Sequence, residues 1–469
     1  MSSVPRFVRD PGSFRDPTSS VYVAGDRVVR GLSAEAARDF AEVSKAHFFT
    51  AALTRGDIVG TRVLDQPPAP QMSDWELWLE HDRVPFLNYP FEWSFSMLRE
   101  AALLQLRLQE EALEAGFTCK DATPYNVQFV GSRPVFIDVG SFEVLREGEP
   151  WVAYRQFCEM YLYPLMFRAY KDVPFQPFLR GSVDGVTAEV ARKVLSGWKR
   201  SWKGMLVHVE MHALAQRRMA STDQDMRRQI AGAGMRRDLV LASVRKMRSL
   251  VESLEWRRSE STWSTYSDRS HYGSEDLRVK AEFVRSVASS GSWNLVWDLG
   301  ANDGYFSRML TPHASYVLAV DSDELVVDHL WRDLRREGEA KILPLVMDLA
   351  DLCGGLGWRG RERRSFLERG HPDLVVALAL VHHLSISANV PLEEVVAFLC
   401  ALGEHLVVEF PQPNDPMVLR LLRNKRPGLH DDYSQPTFEK ALEASGRVLE
   451  RRVLPSGNRV LYHVECKRA

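Results

Sequence analysis

The most constraining feature of this sequence is the alternation of short apolar runs with helical stretches that begins near Leu277. Apolar runs of this length are typical of buried strands, and their alternation with helices predicts an α/β domain with a mostly parallel sheet. The linker Pro455-Ser456-Gly457-Asn458 predicts that the last two runs form an antiparallel hairpin. The predicted strands are Leu295–Leu299, Tyr316–Val320, Lys341–Met347, Leu374–Leu378, Leu406–Phe410, Arg447–Leu454 and Arg459–Glu465.

Polar residues follow several of these runs. In a parallel sheet, the carboxyl ends of the strands border the crevice in which ligands bind. The first run continues into Gly300-Ala301-Asn302-Asp303-Gly304, a glycine-rich turn that lets a ligand lie against the backbone. Asp321 ends the second run, and a carboxylate there can accept hydrogen bonds from both hydroxyls of a ribose. Asp348 follows the third run and is placed to meet an adenine amino group.

This ordered set resembles the class I S-adenosylmethionine-dependent methyltransferases, which have a Rossmann-like, doubly wound sheet. Residues 298–304 look like the first motif of that family, 320–324 like the second, 347–349 like the third and 379–384 like the segment after strand four. The resemblance covers residues 275–469 and implies S-adenosylmethionine as cofactor. It implies that Asp298 orients the methionine amino group, that Asp321 holds the ribose, and that Asp348 and Leu349 lie by the adenine. The implied cofactor-binding set is Asp298, Gly300, Asn302, Gly304, Asp321, Asp348 and Leu349.

A nicotinamide dinucleotide is the alternative ligand for such a turn. Dinucleotide enzymes prefer G-x-G-x-x-G, which leaves room for a pyrophosphate. Here Asp303 precedes the second glycine of the turn. Because an acidic turn repels phosphate and attracts a cationic sulfonium, the charge favours S-adenosylmethionine.

His382 and His383 are the candidate catalytic residues, because they follow strand four at the mouth of the crevice. A neutral imidazole could deprotonate a hydroxyl acceptor as the methyl group is transferred. Either histidine could instead pack against or cap the following helix. A carboxylate or phosphate acceptor is already ionised, and a histidine would then only position it.

A second group of candidate substrate-lining residues precedes the sheet. Aromatic and histidine side chains here could form a substrate pocket. They could equally form a domain interface. Lys280 could contact the cofactor or an anionic acceptor. The group consists of Trp263, Tyr266, His271 and Tyr272, with Lys280 beside it.

The N-terminal half carries a different constellation after the helical stretch Trp93–Ala115. It comprises Lys120–Asn126 and Val135–Gly140, on either side of a predicted hairpin. The pattern resembles the catalytic loop and metal-binding motif of the protein-kinase-like fold, especially its small-molecule phosphotransferase branch. The resemblance implies an α+β domain with Asp121 as catalytic base, with Asn126 and Asp138 as magnesium ligands, and with ATP as a ligand.

The same half departs from the kinase-like pattern. Residues 1–60 contain no glycine-rich loop, and Lys45 is the only lysine before Lys120. The lysine that grips ATP phosphates is therefore missing, unless an arginine such as Arg62 replaces it. Catalytic inactivity is favoured, since phosphoryl transfer depends on that positioning. Alternatively, Asp121 and Asn126 only tie down their own loop.

The local pattern also predicts the elements of this half. Val21–Val29 and Asp57–Leu64 are expected to be strands around a helix at Ala34–Thr54. The predicted domains are a reduced kinase-like N-lobe (1–90), a helical C-lobe (91–245), a linker or lid helix (246–274) and a methyltransferase domain (275–469).

The amino-acid composition limits the kinds of binding partner and the cellular location that are expected. With 60 Lys and Arg against 62 Asp and Glu, the net charge of −2 disfavours nucleic acid, and the basic stretch Lys193–Arg258 is expected to be solvated surface. No apolar run is long enough for a membrane span. The five scattered cysteines and the absence of an apolar leader predict a cytoplasmic protein without disulfides. No Cys or His spacing indicates a metal centre apart from the implied magnesium.

These patterns predict a methyltransferase that acts on an oxygen (hydroxyl, carboxylate or phosphate), less readily a nitrogen, of a small molecule or saccharide. The kinase-like half is expected to shape the acceptor site. One alternative is a bifunctional enzyme that phosphorylates and then methylates its acceptor. Another is a regulatory protein whose kinase-like half docks a partner. The sequence leaves the acceptor and the oligomeric state open.

Overall fold

The structure is a computed structural model that describes residues 6–146, 148–196, 204–211, 236–258 and 274–467. Contacts divide the chain into two compact units. Unit 1 comprises residues 1–130, 134–257 and 355–364, and unit 2 comprises residues 131–133, 258–354 and 365–469. Each unit is described separately below.

Unit 1 begins with an antiparallel sheet of five strands in the order β1-β2-β3-β5-β4. The expected strand Val21–Val29 is wrong, because the chain turns at Gly25, where φ is +55°, and forms two strands. The expected helix Ala34–Thr54 is also two helices, Ala34–Val43 and His47–Arg55. The strands are β1 (Val8–Arg9), β2 (Ser19–Ala24), β3 (Arg27–Leu32), β4 (Thr61–Leu64) and β5 (Leu77–His81).

A long helix, Phe95–Glu114, follows this sheet and confirms the helix predicted from its periodicity. It buries a nearly continuous apolar face, which includes Leu98 and Leu106. Four short strands come next: β6 (Phe117–Cys119), β7 (Val127–Val130), β8 (Arg133–Phe136) and β9 (Phe142–Val144). β6 pairs with β9, and β7 pairs with β8 as the predicted hairpin. The loops after β6 and β8 therefore lie close together.

Helices complete unit 1. They bury aromatic side chains such as Phe157, Tyr161 and Phe167. A π-helical turn, Cys158–Leu162, joins the first two of them. The helices are Tyr154–Phe157, Tyr163–Lys171, Gln176–Gly181, Ala188–Leu195 and Arg237–Glu252.

Unit 2 is built on a seven-stranded sheet in the order β12-β11-β10-β13-β14-β16-β15. β10 to β14 pair in parallel, and β16 is antiparallel to both β14 and β15. The predicted parallel sheet with an antiparallel terminal hairpin is thus confirmed. The strands are β10 (Trp293–Leu299), β11 (Ala314–Asp321), β12 (Ile342–Val346), β13 (Leu374–Ala377), β14 (His405–Pro411), β15 (Gly446–Val453) and β16 (Arg459–Cys466).

The strand order reverses between β10 and β13. In open α/β sheets such a reversal leaves a crevice at the carboxyl ends of the strands. Val296, Val317 and Val376 lie in the core beneath it and are fully buried. Helices flank the sheet: Ser274–Ser289, Tyr305–Leu310, Glu324–Glu337, Leu392–Leu402, Pro416–Leu422 and Gln435–Ser445.

Two negative features concern the described part of the chain. None of its helices combines the length and the apolar character that crossing a bilayer would require. All five cysteines are free.

Candidate active site

The turn after β10 is fixed by backbone constraints. Gly300 and Gly304 have φ angles of +78° and +74°, which residues with a Cβ seldom adopt. A Cβ at Gly304 would lie 2.6 Å from the Leu330 side chain. The N–H groups of Gly300 and Ala301 donate to the Val320 carbonyl at 2.8 and 2.9 Å. These contacts hold the turn at the carboxyl end of β10 and explain its need for glycine.

Two carboxylates lie at the carboxyl ends of β10 and β11, and that of Asp298 is buried while that of Asp321 is half-buried. Asp298 is 2% exposed and accepts a 2.6 Å hydrogen bond from Ser307 Oγ. Asp321 accepts hydrogen bonds from the backbone N–H groups of Asn302 and Asp323, both at 3.0 Å. Burial raises the pKa of Asp298 to about 6, and the negative charge of Asp321 adds to the effect. Burial likewise raises the pKa of Asp321.

Neither carboxylate has a cationic partner of its own. Among the described residues, no Lys, Arg or His side chain forms an ion pair with Asp298 or Asp321. Lys280 is near enough to favour the ionised form of Asp298, but its ammonium group is paired with Glu409. A buried carboxylate without a counter-charge is unfavourable. The two aspartates therefore form a site that favours a cationic or hydroxyl-rich ligand.

Asp348 and Leu349 follow β12 beside these carboxylates. The Asp348 side chain is exposed and accepts a 2.9 Å hydrogen bond from the backbone N–H of Ala350. The backbone N–H of Met347 donates to the Asp321 carbonyl at 2.8 Å, which ties the two strand ends together.

A cavity of about 830 Å³ joins most of the candidate residues of unit 2. Gly304 does not line the cavity. Its positive φ angle instead shapes the turn after β10. Trp263, Tyr266, His271 and Tyr272 lie outside the described residues. The predicted residues that line the cavity are Asp298, Gly300, Asn302, Asp321, Asp348, Leu349, Lys280, His382 and His383.

The two histidines lie in the segment after β13. Their ring centroids are 4.1 Å apart, and His382 is only 1% exposed. Burial, followed by His383 and then by the positive charges of Arg459 and Lys280, holds the pKa of His382 well below its usual value. Burial and then Arg459 lower the pKa of His383 to about 4. Both imidazoles are therefore neutral near pH 7.

A buried charge network lies beside the histidines. Lys280 Nζ donates to Glu409 Oε2 at 2.6 Å, and Arg459 contacts Glu409 at 3.1 Å and Asp415 at 2.6 Å. Glu409 also has a structural role besides its ion pairs. Its Oε2 accepts a 2.7 Å hydrogen bond from the backbone N–H of Ala379, where φ is +51°. Glu409 thus fixes the turn that presents the histidines.

Lys280 is among the residues predicted from the sequence. The other members of its charge network, Glu409, Asp415 and Arg459, are not. One signal was visible. Glu409 interrupts the apolar run Leu406–Phe410, and a carboxylate in a buried strand requires a counter-charge.

Unit 1 holds a second cluster of polar side chains between the loops after β6 and β8. Asp138 accepts hydrogen bonds from Asn126 Nδ2 at 3.2 Å and from Ser141 Oγ. Arg30, on β3, places its guanidinium 2.7 Å from the Asp138 carboxylate. Although burial opposes it, the Arg30 charge lowers the pKa of Asp138. Asp121 lies near Asp138, and burial and then the Asp138 charge raise the pKa of Asp121 to about 6.

Arg30, not Arg62, is the arginine that reaches this cluster. Arg62 pairs instead with Glu80 at 2.7 Å, and Lys45 pairs with Glu42 at 2.9 Å on the surface. The suggested role of Arg62 is wrong, because its guanidinium pairs with Glu80 on the neighbouring strand β5. The prediction of a single strand at Val21–Val29 hides the β2–β3 hairpin that carries Arg30.

In the described part of the chain, no group of three or more His, Cys, Asp or Glu side chains is arranged to hold a metal ion. Asp138 and Asn126 are the two predicted magnesium ligands, and they contact Arg30 or each other. The residues present therefore do not fit a magnesium ion.

Comparisons with solved structures find low similarity over less than half of the chain. The N-methyltransferase NodS from Bradyrhizobium japonicum WM9, in complex with S-adenosyl-L-homocysteine, is 14% identical and covers 44% of this chain and 100% of that chain, with a TM-score of 0.31. The magnesium protoporphyrin IX methyltransferase ChlM from Synechocystis PCC 6803, with bound S-adenosylhomocysteine, is 18% identical and covers 44% and 96%, also with a TM-score of 0.31.

No protein-family model matches the chain. A curated relative, however, matches almost from end to end. The nodulation protein NoeA from Rhizobium meliloti (strain 1021) is 32% identical over 476 residues, which is 99% of this chain and 98% of the relative. This match spans both units, and the chain belongs to the NoeA family.

Proposed function

We propose that unit 2 is an S-adenosylmethionine-dependent methyltransferase that acts on an oxygen of a small molecule or saccharide. The observation that carries the proposal is the pair Asp298 and Asp321, a buried and a half-buried carboxylate without a cationic partner among the described residues. A ligand with a positive charge beside hydroxyl groups complements such a pair. The chain's sheet order and its four motifs agree with this assignment.

The residues of the cavity fit S-adenosylmethionine. When bound, this cofactor supplies a methyl group on a cationic sulfur. Asp298 would hold the methionine amino group, Asp321 the ribose hydroxyls, and Asp348 the adenine amino group. A cavity of about 830 Å³ lies within the roughly 300–1,000 Å³ of small-molecule sites. The turn at Gly300 lets the ligand approach the backbone.

A nicotinamide dinucleotide fits this cavity poorly. Its pyrophosphate would bring negative charge towards Asp298, Asp303 and Asp321, all of which line the cavity. Like charges in a poorly solvated site repel strongly. The acidic lining therefore supports a sulfonium ligand rather than a dinucleotide.

Calorimetric titration of the full chain tests the assignment. S-adenosylmethionine and S-adenosylhomocysteine should bind at one site per chain, whereas NAD and NADP should not bind. Binding of a dinucleotide with no binding of S-adenosylmethionine would overturn the proposal.

For unit 1 we propose a kinase-like region, with a reduced N-lobe at residues 1–90 and a helical C-lobe at 91–245, that acts as a scaffold. The support is the placement of Asp121 after β6, Asn126 before β7 and Asp138 after β8. Phosphoryl transfer needs metal ions to neutralise the phosphates. The Arg30 guanidinium already neutralises Asp138, which favours a scaffold over a working kinase.

One observation favours a bifunctional enzyme instead. The pKa of Asp121 is raised to about 6 by burial and by Asp138, which suits a general base. Incubation of labelled ATP with the full chain, magnesium and a metabolite extract distinguishes a scaffold from a bifunctional enzyme. We expect no label transfer. Label transferred to an acceptor, and lost in Asp138→Ala, would establish the bifunctional enzyme.

A further inference from the structure

Part of the cavity lining in unit 2 comes from segments outside the cofactor motifs. We call this part the acceptor end. It is formed by the first turns of the helix Ser274–Ser289, by the start of the helix Pro416–Leu422 and by the linker between β15 and β16. Its polar side chains include Asp276, Lys280, Asp415, Ser456, Asn458 and Arg459.

The buried charges at the acceptor end do not cancel. Lys280 pairs with Glu409 at 2.6 Å. Arg459 pairs with Glu409 at 3.1 Å and with Asp415 at 2.6 Å. Asp276 is a third buried carboxylate, only 6% exposed, and it has no ion pair among the described residues. Two buried cations therefore lie among three buried carboxylates.

The helix that carries Asp276 offers it a partner that it does not use. Lys280 lies four residues further on, at the spacing at which an acidic and a basic side chain commonly pair on a helix. The Lys280 ammonium group pairs with Glu409 instead. The first turn of a helix stabilises a carboxylate only modestly. The negative charge of Asp276 is therefore left uncompensated within the described part of the chain.

The two oxygens of the Asp276 carboxylate differ in their surroundings. Oδ1 accepts a 2.9 Å hydrogen bond from the backbone N–H of Ser456, in the linker between β15 and β16. Oδ2 accepts no hydrogen bond among the described residues, and unlike the enclosed atoms without partners it keeps solvent-accessible surface. Because Asp276 lines the cavity, this oxygen can accept a hydrogen bond from a bound molecule.

The excess negative charge limits which acceptor fits. A poorly solvated carboxylate gains most from a ligand that brings both positive charge and N–H donors. An anionic acceptor would add to the excess, and an uncharged acceptor would leave it uncompensated. Arg420 also lines the cavity, but it is exposed, and water screens its charge.

We infer that the acceptor is a hydroxyl compound that also carries a protonated amine, and that Asp276 Oδ2 binds this amine; the inference rests on the proposed methyltransferase function. The ammonium group anchors the acceptor, and the hydroxyl oxygen takes the methyl group. An ammonium nitrogen has no lone pair and cannot itself be methylated. Asp276 is thus a specificity-determining residue that sets the charge of the acceptor.

A matched pair of small probes tests this charge preference without requiring turnover. Tris(hydroxymethyl)aminomethane is a cationic amine with three hydroxyl groups near pH 7. Pentaerythritol has the same framework, with an uncharged hydroxymethyl group in place of the ammonium group, and dimethylolpropionate is an anionic analogue. Each is titrated in a calorimeter into the full chain saturated with S-adenosylhomocysteine, at constant ionic strength. We expect saturable binding of the amine and no measurable binding of the other two.

Two variants separate the charge of Asp276 from its contact with Ser456. Asp276→Asn keeps an oxygen that can accept the Ser456 N–H but removes the negative charge, and it should weaken binding of the amine roughly tenfold or more. Glu275→Gln removes the neighbouring charge, which is 58% exposed and paired with Arg278, and should leave binding unchanged. The Kd for S-adenosylhomocysteine should be the same in both variants.

Three results would overturn the inference. They are the absence of saturable amine binding to the wild type, amine binding that survives Asp276→Asn, and binding of pentaerythritol or dimethylolpropionate in preference to the amine. Each of them, obtained with S-adenosylhomocysteine bound, would leave the methyltransferase function intact. Failure of S-adenosylhomocysteine to bind would instead refute the proposed function itself.

Discussion

The two units each bring aspartates together at or just after the ends of strands, but they differ in how the negative charge is compensated. In unit 2, the buried Asp298 and the half-buried Asp321 have no cationic partner among the described residues, and desolvation raises the pKa values of both. In unit 1, Asp138 contacts the Arg30 guanidinium at 2.7 Å, and its pKa is lowered despite burial.

The difference indicates what each cluster can bind. A desolvated carboxylate without a partner gains most from a cationic ligand, whereas a carboxylate with a built-in guanidinium gains little. The unit 2 cluster thus has the electrostatics of a binding site, and the Asp138 pair has those of a structural contact. The following predictions test this contrast in order of decreasing effect.

Removing one member of the unit 1 pair should have the largest effect. Asp138→Asn leaves the buried Arg30 without a counter-charge, which should destabilise unit 1 by about 3 kcal/mol. Hydrogen exchange of β3 and β8 measures the loss. The control Asp26→Asn breaks the exposed pair with Arg83 and should cost less than about 1 kcal/mol. Equal effects of the two changes would show that Arg30–Asp138 is not a structural pair.

His382 should matter for turnover rather than for cofactor affinity. Loss of a proton acceptor typically lowers the rate about 100-fold or more. His382→Ala should therefore lower kcat by this factor at saturating cofactor, with an unchanged Kd for S-adenosylhomocysteine. His329→Ala, on an exposed helix face, is the matched control. A normal rate for both His382→Ala and His383→Ala would make these histidines structural.

Asp321 should matter for cofactor affinity. Asp321→Ala removes charge-assisted hydrogen bonds to the ribose, worth about 1.5–3 kcal/mol. Calorimetry should record the matching rise in Kd for S-adenosylmethionine, and Asp333→Ala on the exposed side of the next helix should leave Kd unchanged. An unaltered Kd in Asp321→Ala would refute the ribose contact.

The pH profile of turnover should be flat where a normal histidine would titrate. Burial and neighbouring charges lower the pKa of His382, and that of His383 to about 4, so both stay neutral as the pH falls to about 5. The value of kcat should therefore lack a decline centred near pH 6.5. Such a decline would show that a histidine with an ordinary pKa governs the reaction.

The fold and the site residues of unit 2 could be predicted best from the sequence, because they follow from the order of the strands along the chain. Each strand there is a distinct apolar run, and Asp298, Asp321 and Asp348 were found because they end or directly follow such runs. Position along a parallel sheet fixes where these side chains meet. The seven strands and the terminal hairpin were confirmed for the same reason.

The features that were missed depend on contacts between distant segments. Arg459 pairs with Glu409 and Asp415, and no local pattern reveals which side chains will meet across β14 and β16. Arg30 was missed because Gly25-Asp26, a turn signal, lies within the predicted strand Val21–Val29. Nor does any pattern predict that residues 355–364, between β12 and β13, belong to unit 1.

The most direct test of the account is the pH dependence of S-adenosylmethionine binding to the full chain between about pH 5 and 7. Burial and Asp321 raise the pKa of Asp298 to about 6, and a cationic ligand should lower it again. Binding should therefore release a proton near pH 6, and affinity should rise with pH and level off above about 7. Calorimetry in two buffers of different ionisation enthalpy measures this release. The account predicts that Asp298→Asn abolishes the release while Asp121→Asn, in unit 1, leaves it unchanged; binding with no proton release in the wild type, or a release lost only in Asp121→Asn, would contradict it.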